Sequence, residues 1–326
     1  MKAIEIKAAG GPEVLELVER PEPRPAAGEV LVRAHAIGVG KPDVLFRTGV
    51  YRWMPPLPAI PGSEMTGEIA EIGAGVTEFR IGQKVLVYHL GGGCYAEAIA
   101  VPAASVTPLP DTIDLDAAAS LPNYQVAWAL LNEAARGTAL RTVYINGAAG
   151  GVGSAVIQIC KAHNIVVIAG ASSAQKCAFA LSQGAAHTID YSRETVADRL
   201  LELTAGRGID LILDHIIGKT FTDSLRALAP MGLIVSFNML GGLPEEDLFR
   251  ALRANLNRSP AVRCFTMHTY DHDPAGRRRI VTETLRLFAA GAVAPAIFRR
   301  LPLAEARHAH ELIDARAVLG KIILEP

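Results

Sequence analysis

The stretch VYINGAAGGVGSAVIQICKAHNIVVIAGASSAQK, Val143 to Lys176, has the residue types and spacing of a phosphate-binding site. An apolar burst breaks into AAGGVG, Ala148–Gly153, which fits G-x-G-x-x-G with alanine in place of the first glycine. Between a strand and a helix, such a loop leaves backbone N–H groups and the positive end of the helix dipole open to a pyrophosphate. The candidate cradle is Ala149, Gly150, Gly151, Val152 and Gly153, with the tight turn and close backbone approach expected at Gly150 and close helix–strand packing at Gly153. A lone glycine motif is weak. Here a strand precedes it, a helix follows and a second strand closes the unit.

That second strand ends about 20 residues past the loop, where dinucleotide folds place Asp or Glu against a ribose 2′-hydroxyl. This chain has Ser172 and Ser173, then Lys176. A carboxylate would repel a 2′-phosphate, whereas hydroxyls and an ammonium attract one. Tyr191 and Arg193, in TIDYSRE after the third strand, could complete the pocket. The cofactor these residues point to is NADPH. The plainer alternative makes Lys176 a solvated helix residue and Tyr191 a packing residue.

These residues need a scaffold, and the pattern around them supplies one. EVLVRAHAIGV (Glu29–Val39), EMTGEIAEIG (Glu64–Gly73) and QKVLVYH (Gln83–His89) read as strands separated by Pro- and Gly-rich turns, which suggests a β-rich, barrel-like first domain. Near Asp114 the pattern becomes helical, with Pro122 interrupting it. From Thr142 the strands TVYIN, IVVIAG, HTID, IDLILDH and GLIVSF alternate with GSAVIQICKAH, AQKCAFALSQ, VADRLLELTA and TFTDSLRAL as helices. Strict β/α alternation predicts a parallel, doubly wound sheet. After Asn255 the alternation is expected to end, with a last helix, AEARHAHELIDA, and a strand, GKIILEP, returning to the first domain.

The chain has 326 residues, half of them hydrophobic, and a net charge of −1. That composition fits a soluble globular protein and argues against nucleic acid or an anionic membrane as partner. The N-terminus MKAIEIKAAGGPEVLEL alternates apolar and charged residues, so it reads as a first strand and not a signal peptide. No apolar run approaches the ~20 residues that span a bilayer. A cytoplasmic location is the expectation. The scattered cysteines Cys94, Cys160, Cys177 and Cys264 form no C-x-x-C pair and suggest neither disulfides nor structural zinc.

On GGPEVLEL (Gly10–Leu17), FRTGVY (Phe46–Tyr51), PGSEMTGEIAEIGAGVTEFRIGQKV (Pro61–Val85), GAAGGVGSAVIQICK (Gly147–Lys161) and AHELIDARAVLGKIIL (Ala309–Leu324), the chain resembles the zinc-free quinone oxidoreductase (ζ-crystallin-like) branch of the medium-chain dehydrogenase/reductase superfamily over nearly its whole length. The resemblance implies an α/β fold: a GroES-like β-barrel catalytic domain at 1–118 and 262–326, and a Rossmann NADP-binding domain at 119–261. It implies an active site in the cleft between them and a homodimer or tetramer. It also implies reduction of a quinone or an α,β-unsaturated carbonyl by NADPH. Two alternatives stand beside the quinone reductase: an enone, haloacrylate or enoyl-thioester reductase, and a non-catalytic NADPH-binding protein.

Zinc-dependent relatives bind the catalytic metal through a Cys after the second strand, a His-Glu pair and a distant third ligand. Here the matching stretches are GVGKPD (Gly38–Asp43) and PGSEMTG (Pro61–Gly67): the Cys is absent, Ser63 stands for the His, and only Glu64 survives. One carboxylate and one hydroxyl do not make a tetrahedral N/S site, so no metal is expected. His308 and His310 are expected on a solvated helix face. Without a Lewis acid, conjugate hydride addition to an electron-poor acceptor is the suited chemistry.

The resemblance places Tyr51 at the substrate mouth, as donor or stacking partner, with loop packing the alternative. Gly40-Lys41-Pro42-Asp43 replaces the family's Asn-Pro or Asn-Phe, and Val126 stands where many members have Thr; Asn123 and Tyr124 are the candidates for the missing polar contacts. Gly218, Phe237 and Asn238 follow Rossmann strands and are expected near the nicotinamide ribose. Phe265 and Met267 are expected to wall the nicotinamide pocket or a dimer interface, and Lys321 to reach a cofactor phosphate.

Overall fold

The computed structural model describes residues 1–326. In chain order the elements are β1 (Lys2–Glu5), β2 (Glu16–Glu19), β3 (Glu29–Val39), α1 (Lys41–Arg47), β4 (Glu64–Ile72), β5 (Lys84–Tyr88), β6 (Ala98–Pro102) and β7 (Val106–Pro108). Next come α2 (Leu115–Ala118), α3 (Leu121–Ala129), β8 (Thr142–Ile145), α4 (Gly151–Ala162), β9 (Val166–Ala171), α5 (Ala174–Gln183), β10 (His187–Asp190), α6 (Val196–Leu203) and β11 (Ile209–Asp214). The remainder are β12 (Leu228–Ser236), α7 (Leu248–Ala254), β13 (Ala261–Cys264), α8 (Pro274–Ala289), β14 (Ile297–Pro302), α9 (Ala306–Asp314) and β15 (Lys321–Glu325).

Two compact units emerge: Met1–Pro122 with Pro295–Pro326, and Asn123–Ala294. The first is built on a seven-stranded sheet in which the long β3 pairs antiparallel with β4, β6 and β15. Register shifts along β3, at Leu31/Val32 and Ala34/Ala36, bend it so that one strand serves three neighbours. Its alternating apolar residues Val30, Val32, Ile37 and Val39 join Met65, Ile69, Val85 and Val87 in one core. The expected β-rich first domain is therefore present, closed by β15 from the far end of the chain.

The second unit is a six-stranded parallel sheet in the order β10-β9-β8-β11-β12-β13. Period-two alternation splits its strands between two cores: Val143, Ile145, Leu211, Leu213, Leu233 and Val235 on one face, Tyr144, Ile212 and Ile234 on the other. The strand order reverses between β8 and β11, which opens a crevice at their carboxyl ends.

Three differences from the sequence reading have local causes. TFTDSLRAL forms only a short 3-10 run, Thr222–Ala227, leading directly into β12. The alternation does not stop at Asn255, because β13 adds a sixth parallel strand. The second unit runs to Ala294 rather than to 261: α8 stays with it, through Arg279 on Glu133, Phe288 edge-on to Tyr124, and the Ala294 backbone on the Gln158 amide. Pro122 falls in the first turn of α3, where its missing N–H removes no helix hydrogen bond.

Candidate functional site

In the second unit, β8 ends at Ile145 and the chain turns through Asn146 to Gly150 before α4 begins. The turn demands glycine at Gly147, with φ +58°, and not at Gly150, whose φ is −79°. A side chain at Gly147 would collide with the His215 imidazole. One at Gly153 would meet the Ala148 backbone, the close helix–strand approach the motif requires. At Gly150 only the Gly147 carbonyl lies within van der Waals reach, so the face toward a ligand is open. The N-cap Gly150 offers no side-chain acceptor, and the first N–H groups of α4 remain available to an anion. Asn123 places its side-chain amide against Gly151. Ala149 is buried and Val152 packs on the core beneath.

At the end of β9 the expected hydroxyl–ammonium group is assembled. Lys176 Nζ donates to Ser172 Oγ at 3.1 Å, and Ser173 caps α5 by accepting the Lys176 N–H at 3.4 Å. Tyr191 joins it through its backbone N–H on the Ala171 carbonyl at 3.0 Å. Arg193 stays 81% exposed, its Nε 3.9 Å from Asp190. Asp190 is a competing acid that the sequence reading missed. It pairs in register with Ala171, and its carboxylate accepts from the Ser192 hydroxyl and N–H, bonds that hold it below the usual carboxylate range.

At the switch point, Asn146 donates to Asp214 at 2.5 Å, and Asp214 also accepts the Ile216 and Ile217 N–H groups. This ties the loops after β8 and β11 together. Gly218 follows at φ +65°, bonded to the Gly242 carbonyl. The Phe237 ring lies 5.6 Å from that of His215. His215 is a second residue missed from sequence; burial lowers its pKa, so the imidazole against the glycine loop is neutral. Its position directly after a strand beside β8 was the signal that could have found it. Asn238 is exposed and caps its own turn through the Met239 N–H. Phe265 packs on the unit's core, with its N–H on the Ser236 carbonyl at 2.8 Å, and Met267 opens a 3-10 turn, half-buried.

Two sequence assignments are corrected. Tyr124 offers no free polar contact: its hydroxyl donates to Gln158 at 2.8 Å in the core, and burial raises its pKa. Lys321 is committed elsewhere than a phosphate. It is 3% exposed and ion-paired with Glu64 inside the first unit, where a charge released from that partner would be left buried.

In the first unit, Tyr51 follows α1 and stacks obliquely on Trp53 at 5.5 Å. With Pro42, Asp43, Phe46, Ser63 and Gly92 it lines a cavity of ≈ 10 Å³, about the space of one water. Asp43, at the third position of α1, accepts the Gly40 N–H at 2.8 Å and is 2% exposed. Burial, then the nearby Glu64 carboxylate, raise its pKa to about 7. His310, expected on a solvated face, is fully buried; its Nε2 lies 3.0 Å from the Tyr95 hydroxyl. The periodicity of α9 hid this, because a polar residue occupies a core-facing position. His308 remains on the exposed side.

No zinc site fits these residues. Glu64 is neutralised by Lys321, Ser63 offers only a hydroxyl, and no group of three His, Cys, Asp or Glu side chains is arranged to hold a metal ion. No helix is long and apolar enough to cross a membrane.

Residues 26–111 match the alcohol dehydrogenase GroES-like domain, and residues 151–273 match the zinc-binding dehydrogenase family. The chain is 35% identical to the quinone oxidoreductase of Pseudomonas aeruginosa, over 100% of this chain and 99% of the relative. The solved quinone oxidoreductase of Pseudomonas syringae pv. Tomato superposes with a TM-score of 0.91 at 33% identity, over 100% of this chain and 99% of that one. The Escherichia coli quinone oxidoreductase, solved in complex with NADPH, gives a TM-score of 0.90 at 30% identity over 100% of both chains.

Proposed function

The chain belongs to the quinone oxidoreductase branch of the medium-chain dehydrogenase/reductase superfamily, and on that footing we propose that it reduces a quinone or related electron-poor acceptor with NADPH and without zinc. The observation that carries the cofactor choice is the Ser172–Ser173–Lys176 group at the end of β9, where a carboxylate would select NADH. The residues fit the cofactor. The open N-terminus of α4 receives a pyrophosphate, Asn123 borders it, and Tyr191 flanks the 2′-phosphate group; Gly218 and Phe237 lie at the nicotinamide side. Bound there, NADPH supplies the hydride.

Catalysis then rests on positioning and water exclusion, since the acceptor is already electron-poor and needs no Lewis acid. Tyr51 is the candidate donor or stacking surface for the acceptor. The reading extends to a cytoplasmic homodimer, supported by the half-exposed edge strand β13, whose unpaired side suits pairing with a second copy.

Initial rates of NADPH and NADH oxidation against quinones, enones and enoyl thioesters test the proposal, with metal analysis of the purified protein alongside. NADPH is expected to be favoured by about tenfold or more, the worth of one charge-assisted contact, with quinones the fastest acceptors. A preference for NADH ends the 2′-phosphate reading. Activity lost to a chelator and restored by zinc ends the zinc-free one.

A further inference from the structure

The two candidate phosphate subsites of the second unit open different helices. The pyrophosphate cradle is the N-terminus of α4, and the Ser172–Ser173–Lys176 group opens α5. Farther along both helices lies a saturated side-chain junction. Its centre is Gln158, about two turns along α4 from Gly151 and 8% exposed. The Gln158 Nε2 donates to Gln183 Oε1 at 2.7 Å and to the Ala294 carbonyl at 2.9 Å. Its Oε1 accepts the Tyr124 hydroxyl and the Ala294 N–H, each at 2.8 Å.

We infer that Gln158 is a positioning residue for cofactor selection: it fixes α5 against α4, and so fixes the spacing between the 2′-phosphate group and the pyrophosphate cradle. This rests on the NADPH reading above. The Ala294 backbone sets the amide's orientation, because its N–H can only donate and its carbonyl only accept. The Gln158 oxygen therefore faces Tyr124 and the nitrogen faces Gln183. Two donated and two accepted bonds use the whole capacity of the group, which no carboxylate or ammonium could match.

The three partners lead to different parts of the second unit. Gln183 is the last residue of α5, whose start carries Ser173 and Lys176, and a helix is rigid enough that holding its end holds the group at its start. Tyr124 directly follows Asn123, whose side-chain amide borders Gly151. Ala294 is the residue at which the unit ends, and the paired bonds to its backbone anchor the Gln158 amide to main chain. Gly184, at φ +111°, caps α5 and lies against the Lys161 stem of α4, so packing supports the same spacing.

The two nucleotides differ in what they ask of this junction. NADH needs the cradle alone. NADPH must meet the cradle and the Ser172–Lys176 group together, so drift of α5 on α4 weakens one of its two anionic anchors. Cutting the Gln183 branch should therefore lower discrimination between the nucleotides and leave the chemical step alone. Cutting the Tyr124 branch, which leads to Asn123 at the cradle, should weaken both nucleotides alike.

Gln183→Leu in the full chain tests the branch to α5, since leucine keeps an apolar stem and removes the acceptor. The KM for NADPH is expected to rise about three- to tenfold, the worth of one hydrogen bond, with the KM for NADH and both kcat values within about twofold of wild type. Gln183→Glu retains an oxygen for Gln158 Nε2 and should keep the wild-type ratio of the two KM values. Gln158→Leu should raise both constants, that for NADPH further, and Tyr124→Phe should raise both equally. A ratio within about twofold of wild type in Gln183→Leu and Gln158→Leu overturns the inference. So does an equal loss in Gln183→Leu and Gln183→Glu, which would make helix packing the cause. Should Gln158→Leu fail to fold, the half-buried Gln183 pair of variants decides alone. A wild type that prefers NADH takes down both this inference and the 2′-phosphate reading, whereas an NADPH preference left intact in the variants overturns this inference alone.

Discussion

The glycine loop of the second unit and the buried acid cluster of the first are built on opposite principles. The loop works through its backbone: free N–H groups at α4, a positive φ at Gly147, and absent side chains at Gly151 and Gly153. The acid cluster works through side chains brought together from β4, α1, the turn before β6, α9 and β15: Glu64, Asp43, Tyr95, His310 and Lys321. A backbone site has one short stretch of sequence as its signature. A side-chain site assembled across 278 positions (Asp43 to Lys321) has none. The two should also fail differently, the first in cofactor binding and the second in folding.

Lys321→Met is the harshest test of the second half of that contrast. It removes the partner of Glu64 and leaves a carboxylate unpaired where both side chains are under a tenth exposed. Breaking a buried pair costs about 3–5 kcal/mol, which denaturant unfolding at neutral pH would register. The Glu64→Gln/Lys321→Met double variant should recover much of the loss, because neither charge then remains. If the single variant is as stable as wild type, the pair is not buried in solution. If NADPH affinity falls with stability unchanged, Lys321 belongs at a phosphate after all.

Gly153→Ala probes the backbone site. Its new Cβ would meet the Ala148 and Gly147 backbone, which cannot move aside as a flexible side chain can. The turn must shift, and NADPH affinity should weaken by roughly ten- to a hundredfold, read by fluorescence titration. Gly150→Ala is the instructive control. The protein itself leaves that position uncrowded at φ −79°, so the apo fold should be unaffected while binding suffers only if a pyrophosphate packs against Gly150.

The same contrast explains what the sequence made legible. β3, α5 and β10 fall where periodicity and turn residues place them, because each has a clean apolar period and clear stop signals. The cradle was legible because glycine spacing encodes backbone geometry directly. His310 was not, since a histidine on a core-facing position of an otherwise amphipathic helix looks polar until Tyr95 is known to lie opposite. Asp43 read as one residue of a departing family motif, and nothing in GVGKPD announces that Glu64 will sit beside it. Asp190 escaped for a related reason: only the β9–β10 register brings it level with Ala171.

Lys176→Ala tests whether side chains matter at the backbone site as well, and its effect should be the smallest of the three. The ammonium is half-buried and shared with Ser172, and solvent screening limits what one such charge contributes. A rise of about tenfold in the KM for NADPH, with the KM for NADH unchanged, would place the 2′-phosphate on this group. Asp190→Asn should act in the opposite sense. That carboxylate stays ionised at neutral pH, because the Ser192 hydroxyl and N–H stabilise the charged form. Removing its charge beside a phosphate should tighten NADPH modestly and leave NADH alone. If both variants shift NADPH and NADH equally, selection lies in the backbone cradle alone, and the serines and lysine serve only to cap α5.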